Sequence, residues 1–219
     1  GGIFGGSLYF FTENTALGIT QASNVSFIIC TAPLLTTILS LLFYKSEKAS
    51  KGLIYGSLLA LMGVGLIVFN GSFVLKISPI GDLLTLLAAL SWAFYSLIIK
   101  KMAGRYPTIF ITRKIFFYGV LTILPAFLLH PLHPDTAVLL QPAVLFNLLF
   151  LAILASLICY VLWNVVVYQV GTVRASNYIY LNPLVTRIAS FLILDEKITL
   201  VALGGAACIV CGVYWAEKK

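Results

Sequence analysis

Ala22-Ser23-Asn24, followed by Pro33, Glu47-Lys48, Gly56 and Gly63, returns later in the chain as Ala175-Ser176-Asn177, Pro183, Glu196-Lys197, Gly205 and Gly212. In both copies the glutamate stands nine residues before the first glycine, and the two glycines stand seven apart. Two related apolar units in one chain predict a membrane protein built by duplication, the plan of many transporters.

Composition sets the class. Hydrophobic residues make up 61% of the 219, charged residues only 10%, and the mean hydropathy is +1.05. A soluble domain carries about 25% charged residues. Eight apolar runs can be read: Ile3 to Leu17, Ala22 to Tyr44, Leu53 to Asn70, Leu83 to Ile99, Ile109 to Leu129, Ala143 to Val170, Ala175 to Leu194 and Leu200 to Trp215. Most approach or exceed the roughly 20 residues that cross a bilayer as a helix. Continuous runs, rather than alternating ten-residue segments, predict an all-helical membrane fold and exclude an outer-membrane barrel.

The formal charge of +7 has a membrane explanation. With a cytoplasmic C-terminus, Lys45, Lys48, Lys51, Lys100, Lys101, Arg105, Arg113, Lys114, Arg174, Lys218 and Lys219 gather on one side. Lys76 and Lys197 fall opposite, and Arg187 lies inside a span. This is the positive-inside bias, and it argues against a nucleic-acid partner. Cys30, Cys159, Cys208 and Cys211 all sit in apolar runs, which argues against a secreted disulfide framework. Cys208 and Cys211 have C-x-x-C spacing, but small residues surround them and no histidine accompanies them, so helix packing is the preferred reading. His130, His133 and Asp135 share a proline-rich loop without further ligands, so no metal site is expected.

Five spans follow Gly81 and only three precede it. Superposing the copies sets Gly1 opposite Leu154, so two helices are expected ahead of Gly1. An odd number of spans per unit places the two copies in opposite orientation across the membrane. The division expected is residues 1–76 as the end of a first unit and 81–219 as a second.

These residues resemble the EamA-like type of the drug/metabolite transporter superfamily. The matching strings are E-N-T-A-L-G-I-T-Q-A-S-N (Glu13 to Asn24) leading to Pro33, G-D-L-L-T-L-L-A-A-L-S-W-A-F-Y-S (Gly81 to Ser96) and N-P-L-V-T-R-I-A-S-F-L-I-L-D-E-K-I-T (Asn182 to Thr199), with the glycine-patterned last helix. The resemblance covers essentially the whole chain, as helices three to ten of a ten-helix, five-plus-five inverted bundle. It implies a multi-pass secondary transporter of the cytoplasmic membrane that moves a small organic metabolite by alternating access, often outward. The alternative is a non-transporting membrane scaffold or receptor. No protease, hydrolase or paired-aspartate motif supports an intramembrane enzyme, and no cofactor is expected.

The candidate solute path follows from polar and aromatic residues inside the apolar runs. Glu13 is costly to ionise in hydrocarbon and should face the bundle interior. Asn177, Tyr180, Leu184 and Arg187 have helical spacing, and the Arg187 guanidinium could hold an anionic group or pair with Glu13. Asn24 occupies the position of Asn177 in the earlier copy. Trp92, Tyr95, Trp163, Asn164 and Tyr168 offer aromatic and amide lining for an organic solute. Pro33 and Pro183 should kink their helices and serve as hinges. Gly52, Gly56, Gly63, Gly204, Gly205 and Gly212 are read as helix-packing positions. Small solute and lipid are the expected partners, and a homodimer is left open.

Overall fold

The computed structural model describes residues 1–44, 50–69, 78–129, 136–194 and 199–218, with the side chains of 127–129, 136, 190 and 193–194 left aside. The Glu47-Lys48 and Glu196-Lys197 pairs, Lys45, Lys76, Lys219 and the His130–Asp135 loop lie outside the described residues.

The described residues fold entirely as helices joined by short turns. We number them α1 (residues 3–19), α2 (Ala22–Ile29), α3 (Ala32–Phe43), α4 (Lys51–Phe69), α5 (Pro79–Met102), α6 (Thr108–Leu129), α7 (Thr136–Leu139), α8 (Pro142–Val170), α9 (Thr172–Asn177), α10 (Asn182–Leu194) and α11 (Leu200–Glu217). Two helices contain widened π-type turns, α1 over Ile3–Ser7 and α8 over Phe150–Ile158. Those segments overlap when the repeats are superposed, so the same irregularity recurs in both copies.

Among the described residues six helical segments are long and apolar enough to cross a membrane: 22–43, α4, α5, residues 108–126, α8 and α11. The sequence reading counts eight. The two that fall short are α1, whose 17 residues reach only about 26 Å at 1.5 Å per residue, and the run 172–194. A tight 3-10 turn over Tyr178–Leu181 separates α9 from α10 and breaks that run.

Both expected proline kinks coincide with helix breaks, and the prolines sit at the starts of helices rather than inside them. Cys30 and Thr31 interrupt the path from α2 to α3, and Pro33 occupies the first turn of α3. Pro183 follows the 3-10 turn in the first turn of α10. A proline in a first helical turn lacks only a donor that would have no partner there, so it marks a restart at little cost. The extra turn of the earlier copy is taken up beyond its asparagine: α2 continues from Asn24 to Ile29, whereas α9 ends at Asn177.

The repeated glycines bring the backbones of α4 and α11 into close contact. A Cβ added at Gly56 would lie 2.4 Å from the Gly212 carbonyl, one at Gly63 2.5 Å from the Gly205 carbonyl, and one at Gly52 2.9 Å from the Trp215 carbonyl. The contacts run in opposite senses along the two helices, so α4 and α11 are antiparallel. Gly204 meets nothing within 4 Å and is not part of this seam. Cys208 packs at the Gly63 position, in keeping with a packing role, while Cys211 is exposed. Around the seam lies one core cluster with Cys30, Val64, Tyr180 and Ile209. A second joins α5, α6 and α8 through Tyr95, Ile99, Ile111, Ile115 and Tyr160. Large exposed side chains such as Leu42, Met62, Phe146 and Leu192 cover the outside, as lipid-facing helices require.

Candidate solute cavity

Between the two cores lies a cavity of about 340 Å3 lined by Tyr9, Ile29, Ala32, Trp92, Trp163, Tyr178, Ile179 and Asn182. Its wall comes from both ends of the chain. Tyr9 belongs to α1, and Ile29 and Ala32 flank the α2–α3 break; Trp92 comes from α5 and Trp163 from α8. Tyr178, Ile179 and Asn182 come from the turn between α9 and α10. Both interrupted helices therefore present their breaks to the same space, where backbone and small side chains can approach a solute.

Trp92 is the hub of the aromatic wall. Its ring centroid lies 5.1 Å from Tyr9, 5.2 Å from Tyr95, 5.3 Å from Trp163 and 5.7 Å from Tyr160, at the tilted and edge-on angles that aromatic rings prefer. Gly5 makes room for this packing, since a Cβ there would stand 2.3 Å from the Tyr95 ring. Tyr160 donates its hydroxyl proton to the Gly5 carbonyl, tying α8 to the start of α1.

Glu13 is partly buried on α1, one turn beyond Tyr9. The Tyr9 hydroxyl donates to its Oε1 at 3.0 Å. The pair connects Glu13 to the cavity wall through the tyrosine ring. Sequence reasoning missed Tyr9, although a donor four residues before a buried acid is a recognisable helical pairing.

The remaining candidates divide into two groups. Tyr95 and Asn164 are fully enclosed beside the aromatic wall: the Tyr95 hydroxyl donates to Asn164 Oδ1 at 2.8 Å, and Asn164 Nδ2 donates to Thr112 Oγ1 at 2.9 Å. Asn177 and Tyr180 lie instead in the core against α4. Both are 0% exposed, with Ser57 Oγ donating to Asn177 Oδ1 at 3.5 Å. Neither lines the cavity. Asn24 is also buried, Arg187 on α10 is half-buried, and neither borders the cavity. Among the described residues no group of three histidine, cysteine or acidic side chains is placed to hold a metal.

A second cavity, of about 320 Å3, opens at the C-terminal end of α5. It is lined by Ile99, residues 103–108, Ile111, Asn164 and Tyr168, and includes Arg105. Asn164 thus borders this cavity while its neighbour Trp163 borders the first.

Comparison with known proteins places this architecture. The model of the EamA-like transporter family matches residues 1–69 and 79–216. A protein of Archaeoglobus fulgidus named an uncharacterized transporter is 30% identical over 217 residues, covering 98% of this chain and 73% of the relative. A Salmonella typhimurium protein named a probable amino-acid metabolite efflux pump is 29% identical over 182 residues, 78% of this chain and 60% of its own length. One solved crystal structure superposes with a TM-score of 0.81 at 20% identity, over 99% of this chain and 73% of that one, and it supports the fold alone. This multi-pass membrane chain, a transport protein rather than an enzyme, belongs to the EamA-like transporter family.

Proposed function

We propose that this protein is a secondary permease that exports a small organic metabolite by alternating access, with the cavity behind Tyr9, Trp92, Trp163 and Asn182 as its solute site. One observation carries the reading: the breaks at residues 30–31 and 178–181, which are counterparts in the two repeats, border one cavity. Discontinuous helices from paired repeats meeting at a central site are the arrangement around which two halves can rock.

The inverted five-plus-five plan has further support in the α4–α11 seam. Gly56 meets Gly212, the counterpart of Gly63, and Gly63 meets Gly205, the counterpart of Gly56. Reciprocal contact of this kind is the signature of a two-fold relation, and between antiparallel helices its axis lies in the membrane plane. The bare side of α8, where no residue of Phe150–Ile158 is buried, is the face on which first-unit counterparts of α5 and α6 would sit. With them the bundle has ten helices, α1 and the run 172–194 each counting as one.

The named efflux pumps among the relatives, from Salmonella typhimurium and Escherichia coli, make an amino-acid metabolite the leading solute class. An aromatic wall suits the apolar body of such a solute, and Asn182 and Tyr9, which is hydrogen-bonded to Glu13, offer polar groups toward its charged ends. Comparing metabolites in medium and cytosol, in cells with and without the full-length protein, tests the proposal. The expected result is a chemically unchanged amino-acid metabolite displaced into the medium. No displaced solute under any growth condition would overturn it.

A further inference from the structure

The two cavities are stacked end to end along α5 and α8, and one layer of side chains lies between them. Along α5, Trp92 borders the central cavity, Tyr95 one turn on is fully enclosed, and Ile99 one turn further borders the second cavity. Along α8, Trp163 faces the central cavity, whereas Asn164 and Tyr168 face the second. The intervening layer is the chain Tyr95–Asn164–Thr112, in which α5 donates to α8 and α8 donates to α6. All three residues are at most 2% exposed.

We propose that Tyr95, Asn164 and Thr112 form a gate, and that the second cavity, between Arg105, Thr108 and Tyr168, is the vestibule from which solute enters. This rests on the reading of the central cavity as the solute site. Three features make the layer a gate rather than ordinary packing. It is polar inside an apolar core, so its groups have alternative partners, solute or water, when the helices part. It is held by two side-chain hydrogen bonds, each of modest net strength, whereas the α4–α11 seam is held by backbone approach along several turns. It also joins three different helices, so relative movement of any one breaks a bond. Asn164 is the central member. Its carbonyl accepts from Tyr95 and its amide donates to Thr112, so a solute that competes for either group loosens both sides. The vestibule lies at the end of α5 that carries Lys100 and Lys101, the face where a solute bound for export would be collected.

Cysteine accessibility tests this in the full-length protein after Cys30, Cys159, Cys208 and Cys211 are replaced by serine. Ile29→Cys reports on the central cavity and Thr108→Cys on the vestibule, each probed with a membrane-impermeant maleimide in vesicles of both orientations. Thr108→Cys should react from the face bearing Lys100 and Arg105, and Ile29→Cys should react from that face more slowly than Thr108→Cys. Adding Asn164→Ala, or Tyr95→Phe, which keeps the ring and removes only the hydroxyl, should speed labelling of Ile29→Cys from that face at least threefold in one of the two. The gate is overturned if Ile29→Cys reacts from that face as fast as Thr108→Cys without them, or if both leave its rate within threefold. Labelling does not depend on knowing the solute. A faster rate in a protein that moves no metabolite would sink the permease reading and leave the barrier standing, and an unchanged rate in an active exporter would do the reverse.

Discussion

At the scale of single residues, the cavity depends on one tryptophan and one paired acid. Trp92 touches four aromatic rings, so Trp92→Ala removes the hub and leaves a large void, a change that costs about 3–5 kcal/mol in a packed core. The expected outcome is loss of folded protein on size exclusion. Trp92→Phe should keep the fold and raise the KM for transport, because it shortens the wall without removing the aromatic stack. For Glu13 the prediction is different. Hydrogen bonds to charged groups contribute about 1.5–3 kcal/mol, so Tyr9→Phe should lower thermal stability in detergent, while Glu13→Gln should retain insertion and lower flux. Full flux in Glu13→Gln would remove the carboxylate from the solute path. The sequence points to Trp92 as aromatic lining, and Trp92 borders the cavity, whereas Glu13 reaches the wall only through Tyr9. Asn177 and Tyr180 were readable as buried and polar, but not as core residues. Which neighbour a helix face meets is set by tertiary packing, and here that neighbour is α4.

At the scale of elements, the glycine pattern carried the most information. Nine- and seven-residue spacings repeated in two segments require the same face in each to be free of side chains, and that face forms the α4–α11 seam. Gly56→Leu or Gly212→Leu would force a side chain into backbone on the partner helix. Overpacking costs about 1–3 kcal/mol even where neighbours can shift, and here the obstructing atoms are backbone. Both variants should show a lower unfolding midpoint. Gly204→Ala, which meets nothing within 4 Å, should be neutral or slightly stabilising, since alanine exceeds glycine in helix propensity by about 1 kcal/mol. Equal loss in all three would argue against the seam. The breaks at 30–31 and 178–181 were legible as prolines but not as to form. A proline fixes where a helix restarts, whereas the shape of the preceding turn depends on what packs around it. The same limit explains the span count: the run 175–194 is apolar enough to read as one span, and Pro183 marks a restart without specifying the 3-10 turn before it.

At the scale of the whole molecule, the basic residues can be traced to one end through contacts that the sequence does not contain. Lys100 sits 4.5 Å from the centre of the Tyr44 ring at the end of α3, and Tyr44 donates its hydroxyl proton to the Leu97 carbonyl. Six and seven residues beyond Tyr44 the chain reaches Ser50 and Lys51, and a Cβ at the adjoining Gly52 would stand 3.4 Å from the Lys218 carbonyl. Thr172, two residues before Arg174, donates its hydroxyl proton to the Ser96 carbonyl one turn before Lys100. At the opposite end the Thr20 hydroxyl donates to Asp82 at 3.5 Å, and α5 begins there with no basic residue in its first turn. Among the described residues Lys51, Lys100, Lys101, Arg174 and Lys218 therefore gather at one end of the bundle. Because lysine and arginine are retained in the cytoplasm, we propose that this end faces inward, with the C-terminus, the vestibule and Arg105 on the cytoplasmic side. A C-terminal green fluorescent protein fusion should then fluoresce, and a C-terminal alkaline phosphatase fusion should be inactive, because phosphatase matures only outside the cytoplasm. The opposite pair of results would invert the bundle. The vestibule would then open outward, and the Tyr95–Asn164–Thr112 layer would close the exit rather than the entrance.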